Sequence, residues 1–594
     1  MPLAIEDYAL VGDCFSGALV GRDGSIDWLC LPRFDSPSVF SALLGSEENG
    51  RWLLAPTSTD ASSERRYDGA GFTLVTHWTT PTGEVEVIDC MPVGDHRAEF
   101  VRRVRGLTGS VELHQELRLR FDYGATVPWM SQNREADPPE LVAVAGPNAV
   151  IVRGPALTGS DRRHSGVFTV AAGETVDISL VWYPSHREPP PAVDVDAQLE
   201  RTRDWWREWL GHYRNPVESR FEPIVQRSLL VLRALTHEHT GGITAAATTS
   251  LPEQFGGPRN WDYRFVWLRD ASLTIDVLTR HGFEDEVERW RQWLLRAVAG
   301  DPADVQIMYG LGGERYLPER ELPHLPGYQG ARPVRVGNAA SEQFQADVIG
   351  EVLLALDSAR QAGTEESEVS WGLQRALLAH LEKVWDRPDE GIWEIRGTPR
   401  EFTHSRAMCW AAFDRGVRAV ERYGLKGPAQ RWRELRDRIR AEIDARHVDP
   451  SDGAFVQYAG ASHVDAALLQ LPQIGFCEPD DPRMLATVAR IERELLHDGL
   501  VHRYVTETGV DGLPPGENPF LACSFWLAEQ YARSGRRDDA ERMLDRLVAL
   551  ANDVGMLSEE YAPAERRQAG NTPQALSHLA LVRAVNALAD GVTR

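Results

Sequence analysis

The sequence contains little cysteine, and its few cysteines are not grouped. Six stand singly among 594 residues without a CxxC pair, so the ligand spacing of a zinc site is missing. Isolated cysteines of this kind are typical of buried free thiols in a reducing cytoplasm. This interpretation applies to Cys14, Cys30, Cys90, Cys409, Cys477 and Cys523.

Basic residues are also few in comparison with acidic ones. Lys and Arg total 64 against 88 Asp and Glu, which gives a net charge of −24 and a pI of about 5.2. This balance argues against nucleic acid or an anionic membrane as a partner, because both require clustered basic residues. It is compatible with a neutral, small-molecule substrate.

Long apolar runs are absent as well. No stretch approaches the roughly 18 apolar residues of a membrane-spanning helix, and residues 1–8 lack the basic and apolar segments of a signal peptide. The chain is therefore expected in the cytoplasm, with no membrane partner. A hydrophobic content of 42% and a charged content of 26% are typical of globular proteins. The length predicts two or more domains.

Residues 1–195 are predicted to form an antiparallel β-sandwich. Apolar and charged residues alternate over 111–121 with a period of two, which indicates a half-buried strand. The alternation recurs over 176–182, and more loosely over 72–78 before a Pro-Thr-Gly turn. Short strands separated by turn signals favour a sandwich of two sheets.

The pattern changes to helical spacing from residue 196 onward. Residues 196–216 are predicted to form a linker helix, and residues 217–594 a catalytic domain of paired helices. Such pairs can close into an (α/α)6 toroid; an open solenoid would look similar, but no fixed-length repeat supports it. Thr572 before Pro573 is predicted to cap the last helix. Helices are predicted at 271–280, 342–361, 370–384, 404–423, 429–446, 482–495, 520–535, 538–550 and 573–588.

Four loops of the helical half are rich in Trp, Arg and carboxylates. Loops at one end of a helical ring can converge on a central pocket. Aromatic faces stack on sugar rings, Arg and Asp hold hydroxyl groups, and two carboxyl groups supply acid and base. Two residues of the first loop have an alternative interpretation. Asp270 is then a helix cap, and Trp267 is then a core residue. The loops lie at 260–270, 327–338, 388–394 and 555–561.

Glu394 has the sequence context of a general acid. It follows Trp393, and a carboxyl group beside an indole is desolvated, which raises its pKa and keeps it protonated near neutrality. For Glu390 and Glu560, a solvated position on an acidic loop is the preferred interpretation.

Taken in order, these loops resemble glycoside hydrolase family 15, the glucoamylases and their bacterial trehalase relatives. Residues 262–270 are similar to the Asp-Tyr-x-x-x-Trp-x-Arg-Asp segment of that family. Residues 330–335 are similar to its Gly-x-Arg-Pro loop, and residues 392–394 to its Leu-Trp-Glu segment.

The resemblance extends to both ends of the chain. Residues 503–504 and 517–520 are similar to the Arg-Tyr and Asn-Pro-Trp-Phe segments of the family, and residues 558–561 to its Glu-Gln-Tyr segment. Residues 12–35 resemble the N-terminal sandwich domain of bacterial members. The implied fold is therefore an N-terminal antiparallel β-sandwich followed by an (α/α)6 toroid.

The resemblance also implies roles for individual residues. Glu394 would be the general acid and Glu559 the general base of an inverting reaction, with roughly 6.5–9.5 Å between their carboxyl groups to admit a water molecule. No cofactor and no metal is expected. The residues expected to bind or enclose the substrate are Trp267, Arg269, Asp270, Arg332, Arg335, Trp393, Arg503 and Tyr561.

The implied activity is exo-acting hydrolysis of a small α-glucoside, with trehalose as the first candidate. The sequence has no recognisable export signal or starch-binding module, which favours a small soluble substrate over starch. The alternative is a glucoamylase or α-glucosidase acting on maltose, isomaltose or maltooligosaccharides, since all share the terminal glucose. Ile395 stands where fungal glucoamylases carry a second acidic residue, so the second sugar's site stays open. Phosphate or magnesium dependence and oligomeric state, including a homo-oligomer, also stay open.

Three other classes of protein are alternatives. A disaccharide phosphorylase on the same toroid would use phosphate in place of activated water and would need no general base. A sugar epimerase would use paired histidines, for which His404 and His578 are candidates, although histidines satisfied within helices are the simpler interpretation. A non-catalytic carbohydrate-binding protein would keep the aromatic and Arg loops without needing Glu394 or Glu559.

Overall fold

The computed structural model describes residues 2–94, 97–214, 216–217 and 219–590. Asn215, in the predicted linker, and residues 591–594, at the end of the predicted catalytic domain, lie outside the described residues. Strands dominate the first third of the chain, and helices dominate the rest.

The N-terminal third is an antiparallel β-domain, as predicted. Its strands are β1 Tyr8–Gly12, β2 Gly17–Gly21, β3 Ser25–Cys30, β4 Ser38–Phe40, β5 Arg51–Pro56, β6 Ser62–Tyr67, β7 Leu74–Thr80, β8 Gly83–Cys90, β9 Glu99–Arg118, β10 Trp129–Asn133, β11 Glu140–Ala145, β12 Asn148–Arg153, β13 Thr158–Ser160, β14 Arg163–Ala171 and β15 Thr175–Pro184. The main path runs β1-β2-β3-β5-β9-β15-β12-β11-β10.

The 20-residue strand β9 joins two sheets. Its first half pairs with β8 and β15, and its second half pairs with β5 and β14. Val111 and Leu113 are buried while Glu112 between them is exposed, which is the alternation that predicted a strand here. Both sheets contribute to one apolar core, for example through Trp52 and Ile178.

The helices are α1 Val195–Gly211, α2 Glu222–Ala234, α3 Leu268–Arg280, α4 Glu284–Ala297, α5 Asp347–Gln361, α6 Glu368–Val384, α7 Thr403–Tyr423, α8 Ala429–Arg446, α9 Pro482–Glu494, α10 Leu521–Arg533, α11 Arg537–Val548 and α12 Ala575–Asp590. An inner ring is closed: α3 packs on α5, α5 on α7, α10 on α12, and α12 back on α3. The short 3-10 helix Ala466–Gln470 fills the place between α7 and α10. Closure confirms the toroid, with α2, α4, α6, α8, α9 and α11 on the outside.

Burial differs between the inner helix α10 and the outer helix α8. Every residue of α10 from Leu521 to Tyr531 is buried, because an inner helix has neighbours on all sides. The outer helix α8 buries a single stripe, Trp432, Ile439 and Ile443. No helix within the described ranges is both long and apolar enough to cross a membrane.

Helix α12 begins at Ala575, so the prediction that Thr572 caps it is wrong. The backbone N–H of Thr572 instead donates to the hydroxyl of Thr248. The side chain of Gln574 accepts a hydrogen bond from the N–H of Ser577, which is one of the N–H groups left without a partner at the start of a helix. Short ladders complete the structure: β16 Val266–Trp267 with β17 Met308–Tyr309, β18 Arg320–Glu321 with β19 Arg335–Val336, β20 Leu496–His497 with β21 Leu500–Val501, and β22 Glu560–Ala562 with β23 Arg567–Ala569.

A buried arginine ties the β-domain to the helical ring. Arg264, on the loop before α3, is 1% exposed and forms two hydrogen bonds of 2.9 and 2.7 Å to Asp262. Its other N–H groups donate to the carbonyls of Phe34 and Ser36 and to the hydroxyl of Tyr123. The β-domain therefore fixes the loop that leads into α3.

Replacement of Arg264 by Met is expected to lower the free energy of unfolding by about 3–5 kcal/mol, because Asp262 would be left as a buried, unpaired charge. Urea unfolding measures the loss. The matched control is Arg220→Met, which breaks an exposed pair with Asp545 and should change little. Equal unfolding midpoints for the two variants would contradict the importance of the buried pair.

Candidate active site

A pocket lies at the end of the ring where the inner helices begin. The loops before α3, α7 and α10 line it, together with Asn338 and the start of α12. Six predicted site residues share this lining: Trp267, Arg269, Asp270, Trp393, Glu394 and Arg503. Residues far apart in the sequence thus meet at helix N-termini, where partial positive charge favours carboxylates and hydroxyl oxygens.

Glu394 presents its carboxyl group to this pocket. It stands in a turn in which its N–H donates to the carbonyl of Gly391, and its φ of 56° lies in the left-handed region. The side chain is 16% exposed. The indole N–H of Trp267 donates to its Oε1 at 2.7 Å. Burial raises the pKa of Glu394, while Arg269 and the Trp267 hydrogen bond oppose the rise.

Arg269 and Asp270 form a fixed pair beside Glu394. The Arg269 guanidinium donates to both Asp270 oxygens, at 3.3 and 3.1 Å, and to the carbonyl of Ile392 at 2.7 Å. Its Nη1 lies 3.5 Å from Glu394 Oε1. Asp270 lies within the first turn of α3, whose N-cap residue is Trp267, so Asp270 is not the cap.

Trp393, which also lines the pocket, is held by a buried carboxyl group. Its indole N–H lies 2.8 and 3.0 Å from the two carboxyl oxygens of Asp465. Its ring packs edge-on against Phe520, with centroids 5.8 Å apart. The Arg503 guanidinium lies 5.7 Å from the ring centre. Burial raises the pKa of Asp465 to about 6.

Glu559 lies behind the pocket wall and is 0% exposed. Tyr263, whose side chain lines the pocket, lies beside the Glu559 carboxyl group and lowers the pKa of that group. The N–H of Asn571 lies 3.3 Å from Oε2. Gly570 has a φ of 74°, and a Cβ there would come 2.6 Å from Oε2. The chain can pass this close to Glu559 only with glycine.

The electrostatic surroundings of Glu559 are dominated by burial and by other acids. Burial first, and then the nearby Glu253, raise its pKa to about 8. Arg503 and Tyr263 oppose this rise. Glu559 and Glu394 therefore occupy different environments, one enclosed and one open to the pocket.

Buried carboxyl groups surround Arg503. Its Nη2 lies 2.7 Å from Glu253, 2.6 Å from Glu517 and 3.9 Å from Glu560. In the described part of the chain, these three carboxyl groups form the one acidic group compact enough to hold a metal ion, and the guanidinium already supplies positive charge there. The expectation that Glu560 is solvated is wrong, since it is 0% exposed.

The rim of the pocket carries Trp261, which is sandwiched by two arginines. Arg335 and Arg396 lie 4.5 and 4.6 Å from its ring centre. Arg335 thus contacts a lining residue without lining the pocket itself. Arg332 is exposed, and its Nε lies 3.4 Å from the carbonyl of Pro326.

Tyr561 also lies away from the pocket. It is half-buried and lines a separate cleft with Glu6, Asn552 and Gln568. The structure therefore brings together most of the predicted residues, but neither Arg332 nor Tyr561.

Several lining or supporting residues were not predicted. Tyr263 packs edge-on against Trp267, with ring centroids 5.2 Å apart; the alternation of aromatic residues over 261–267 was a signal that could have found it. Glu253 and Asp465 belong to no recognised motif. Their positions follow from contacts across the ring that spacing along the chain does not encode.

The two histidines considered for an epimerase do not line the pocket. His578 is 0% exposed, accepts from the N–H of Leu557 and pairs with the hydroxyl of Ser228. His404 is buried on α7. Burial lowers the pKa of both rings to about 3, so both are neutral near pH 7. This disfavours paired acid–base chemistry by these residues.

Comparison with known proteins agrees with this arrangement. Residues 220–586 match the model of Glycosyl hydrolases family 15, and residues 1–159 match that of Trehalase-like, N-terminal. A trehalase of Mycobacterium tuberculosis is 36% identical, over 98% of this chain and 89% of its own. A trehalase of Thermoplasma volcanium is 31% identical, over 99% of this chain and 94% of its own.

A solved structure supports the same fold. A bacterial glucoamylase complexed with acarbose matches with a TM-score of 0.72 at 13% identity, covering 99% of this chain and 94% of its own. The β-domain and the closed helical ring therefore have the fold of a known enzyme architecture. The chain belongs to glycosyl hydrolases family 15 and is a glycoside hydrolase.

Proposed function

We propose that this glycoside hydrolase cleaves trehalose by an exo-acting, inverting mechanism, with Glu394 as general acid and Glu559 as general base. The observation that carries the proposal is the contrast between the two carboxyl groups. Glu394 opens into the pocket beside Trp267, whereas Glu559 is enclosed behind Tyr263. Inverting glycoside hydrolysis requires two carboxyl groups, and the assignment of acid and base to this pair follows the Leu-Trp-Glu and Glu-Gln-Tyr segments of the family.

In the proposed reaction, Glu394 donates its proton to the glycosidic oxygen as the bond to the anomeric carbon breaks. Glu559 accepts a proton from a water molecule, whose oxygen attacks that carbon from the opposite face. The products are two glucose molecules, and the two carboxyl groups exchange protonation state. The arrangement requires roughly 6.5–9.5 Å between the carboxyl groups.

The proposed contacts to the terminal glucose come from the pocket wall. The Arg269–Asp270 pair and Arg503 are held by buried ion pairs, so they offer hydrogen bonds at low cost in side-chain ordering. Trp267 and Trp393 supply apolar walls. Arg335 is proposed to act by holding Trp261 at the rim. Arg332 and Tyr561 do not contact the pocket, so their role in substrate binding remains a prediction.

Trehalose is favoured because the relatives that match nearly the whole chain are trehalases. The test is glucose release from trehalose, maltose, isomaltose and soluble starch, each with and without phosphate. Release from trehalose alone is expected. Preferential release from maltooligosaccharides would move the assignment to a glucoamylase, and a strict requirement for phosphate would indicate a phosphorylase.

The stereochemistry of the products tests inversion directly. Both anomeric carbons of trehalose are α, so inversion at one of them yields one β-glucose and one α-glucose per cleavage. Proton NMR of the first product, before mutarotation, should show equal amounts of the two anomers. An excess of α-glucose would indicate retention and would contradict Glu559 as a base.

Replacement of Trp267 by Phe is expected to move the alkaline limb of kcat/KM upward by about one pH unit. The indole N–H stabilises the ionised form of Glu394, so its loss raises the pKa of the acid, and a hydrogen bond to a charged group corresponds to about that shift. A general acid works only while protonated, so activity then persists to higher pH. Trp261→Phe, at the rim, should leave this limb in place; an equal shift would contradict the link to Glu394.

We also propose a division into residues 1–195, 196–216 and 217–594. It is supported by the end of β15 at Pro184, by α1 and by the start of α2 at Glu222. A cytoplasmic location is supported by the cysteines, all six of which are described and unpaired.

A further inference from the structure

Glu560 is a buried carboxyl group without hydrogen-bond partners. It is 0% exposed, and neither of its side-chain oxygens receives a hydrogen bond from any described residue. Its backbone is fixed by the hairpin β22–β23 and by a bridge to Phe520. An ionised carboxylate in such a place is strongly disfavoured, because burial removes its hydration without replacing it by hydrogen bonds.

The cations nearest to Glu560 are already matched by other acids. Arg503 donates to Glu253 and Glu517 at 2.7 and 2.6 Å, and its distance of 3.9 Å from Glu560 is too long for a hydrogen bond. Arg259 donates to Asp511 at 2.6 Å. The two positive charges are therefore balanced before Glu560 is counted.

All other titratable groups that face Glu560 make its ionisation harder. Glu253 and Glu517 face it across the Arg503 cluster, Glu559 precedes it in the chain, and the thiol of Cys523 lies on the packed helix α10. Burial and the three acids raise the pKa of Glu560 well above its usual range, and Arg503 opposes them.

We propose that Glu560 carries a proton in the resting enzyme and serves as a neutral positioning residue, which adds no charge that would oppose ionisation of Glu559. The proposal rests on the proposed function, in which Glu559 is the base. A charged Glu560 beside Glu559 would disfavour a second negative charge on Glu559. A protonated Glu560 has the shape of an amide and adds no charge.

The first test is the pH dependence of kcat/KM for trehalose in Glu560→Gln, because glutamine is neutral and nearly isosteric. If Glu560 is already neutral, the acid limb, which reports ionisation of Glu559 in the free enzyme, should stay at its wild-type position. If Glu560 is ionised, its removal should move the acid limb down by about one pH unit or more. That shift would overturn the proposal.

The second test does not depend on activity. Near pH 7, infrared difference spectra between the whole enzyme and Glu560→Gln should show the loss of one neutral carboxylic-acid carbonyl band, distinct from the bands of Glu394 and other protonated acids, and that band should remain in Glu559→Gln. A spectrum in which Glu560→Gln removes a carboxylate band and no carbonyl band would overturn the proposal.

The two tests separate this inference from the proposed function. Wild-type activity in Glu559→Gln, with the band still lost in Glu560→Gln, would refute Glu559 as base and uphold the proton on Glu560. A band unaffected by Glu560→Gln, with activity abolished in Glu559→Gln, would refute the proton on Glu560 and uphold the base. If Glu560→Gln fails to fold, Glu560→Met takes its place in the infrared comparison, and an unchanged carbonyl band there contradicts the proposal.

Discussion

Replacement of Glu394 by Gln is expected to lower kcat for trehalose by about 10²–10⁴-fold, the contribution typical of general acid catalysis. The amide keeps the shape of the side chain and can stay close to Trp267 and Arg269, so binding should be largely preserved. It cannot protonate the glycosidic oxygen, and a glucose molecule is a poor leaving group without that proton. Initial rates of glucose release measure the effect.

A substrate with a better leaving group separates this role from a general loss of function. α-Glucosyl fluoride releases fluoride, which needs little protonation, so Glu394→Gln should retain most of its activity on it. Glu390→Gln is the matched control, because Glu390 lies in the same loop and its carboxyl accepts from the N–H of Phe344. Equal losses of activity on trehalose and on the fluoride would refute Glu394 as the acid.

Replacement of Glu559 by Gln is expected to reduce activity by a similar factor of about 10²–10⁴, but on both substrates. Water must lose a proton as it attacks the anomeric carbon, whichever group leaves. The side chain is fully buried, so circular dichroism and a melting curve should accompany the kinetics to confirm folding.

The matched control for Glu559 lies on the same hairpin. Glu565 is exposed, and Glu565→Gln should have wild-type rates on both substrates. If Glu559→Gln retained full activity on α-glucosyl fluoride while losing activity on trehalose, Glu559 would act on the leaving group, and its role as base would be refuted.

Much of the fold could be predicted from periodicity. The alternation over 111–118 marked β9, and helical spacing located α8 at its observed limits, Ala429–Arg446. Ring closure was not encoded in spacing, because it depends on contacts between helices such as α3 and α12. The 3-10 helix Ala466–Gln470 was missed because five residues are too few to show a period.

The pocket was predictable where a loop carries costly residue types immediately before an inner helix, as at Trp267 and Glu394. It was less predictable where two adjacent residues look alike in the sequence but have different surroundings in the fold. Glu560 looked like a solvated acid beside Glu559, yet a hairpin and a bridge to Phe520 bury it. Arg332 lies in a recognisable loop but faces solvent, because a motif fixes the course of the backbone better than the direction of each side chain.

The contacts of Arg264 also limit how freely the β-domain of such an enzyme can be exchanged for another. A helical ring separated from its β-domain would lose the carbonyls of Phe34 and Ser36 and the hydroxyl of Tyr123, so its guanidinium would keep Asp262 as its main partner. The segment that this arginine anchors runs directly into Trp267 and Arg269. A chimera with a foreign β-domain would therefore need to present two carbonyls and a hydroxyl at the same place, which makes the β-domain a structural part of the active site and not an interchangeable module.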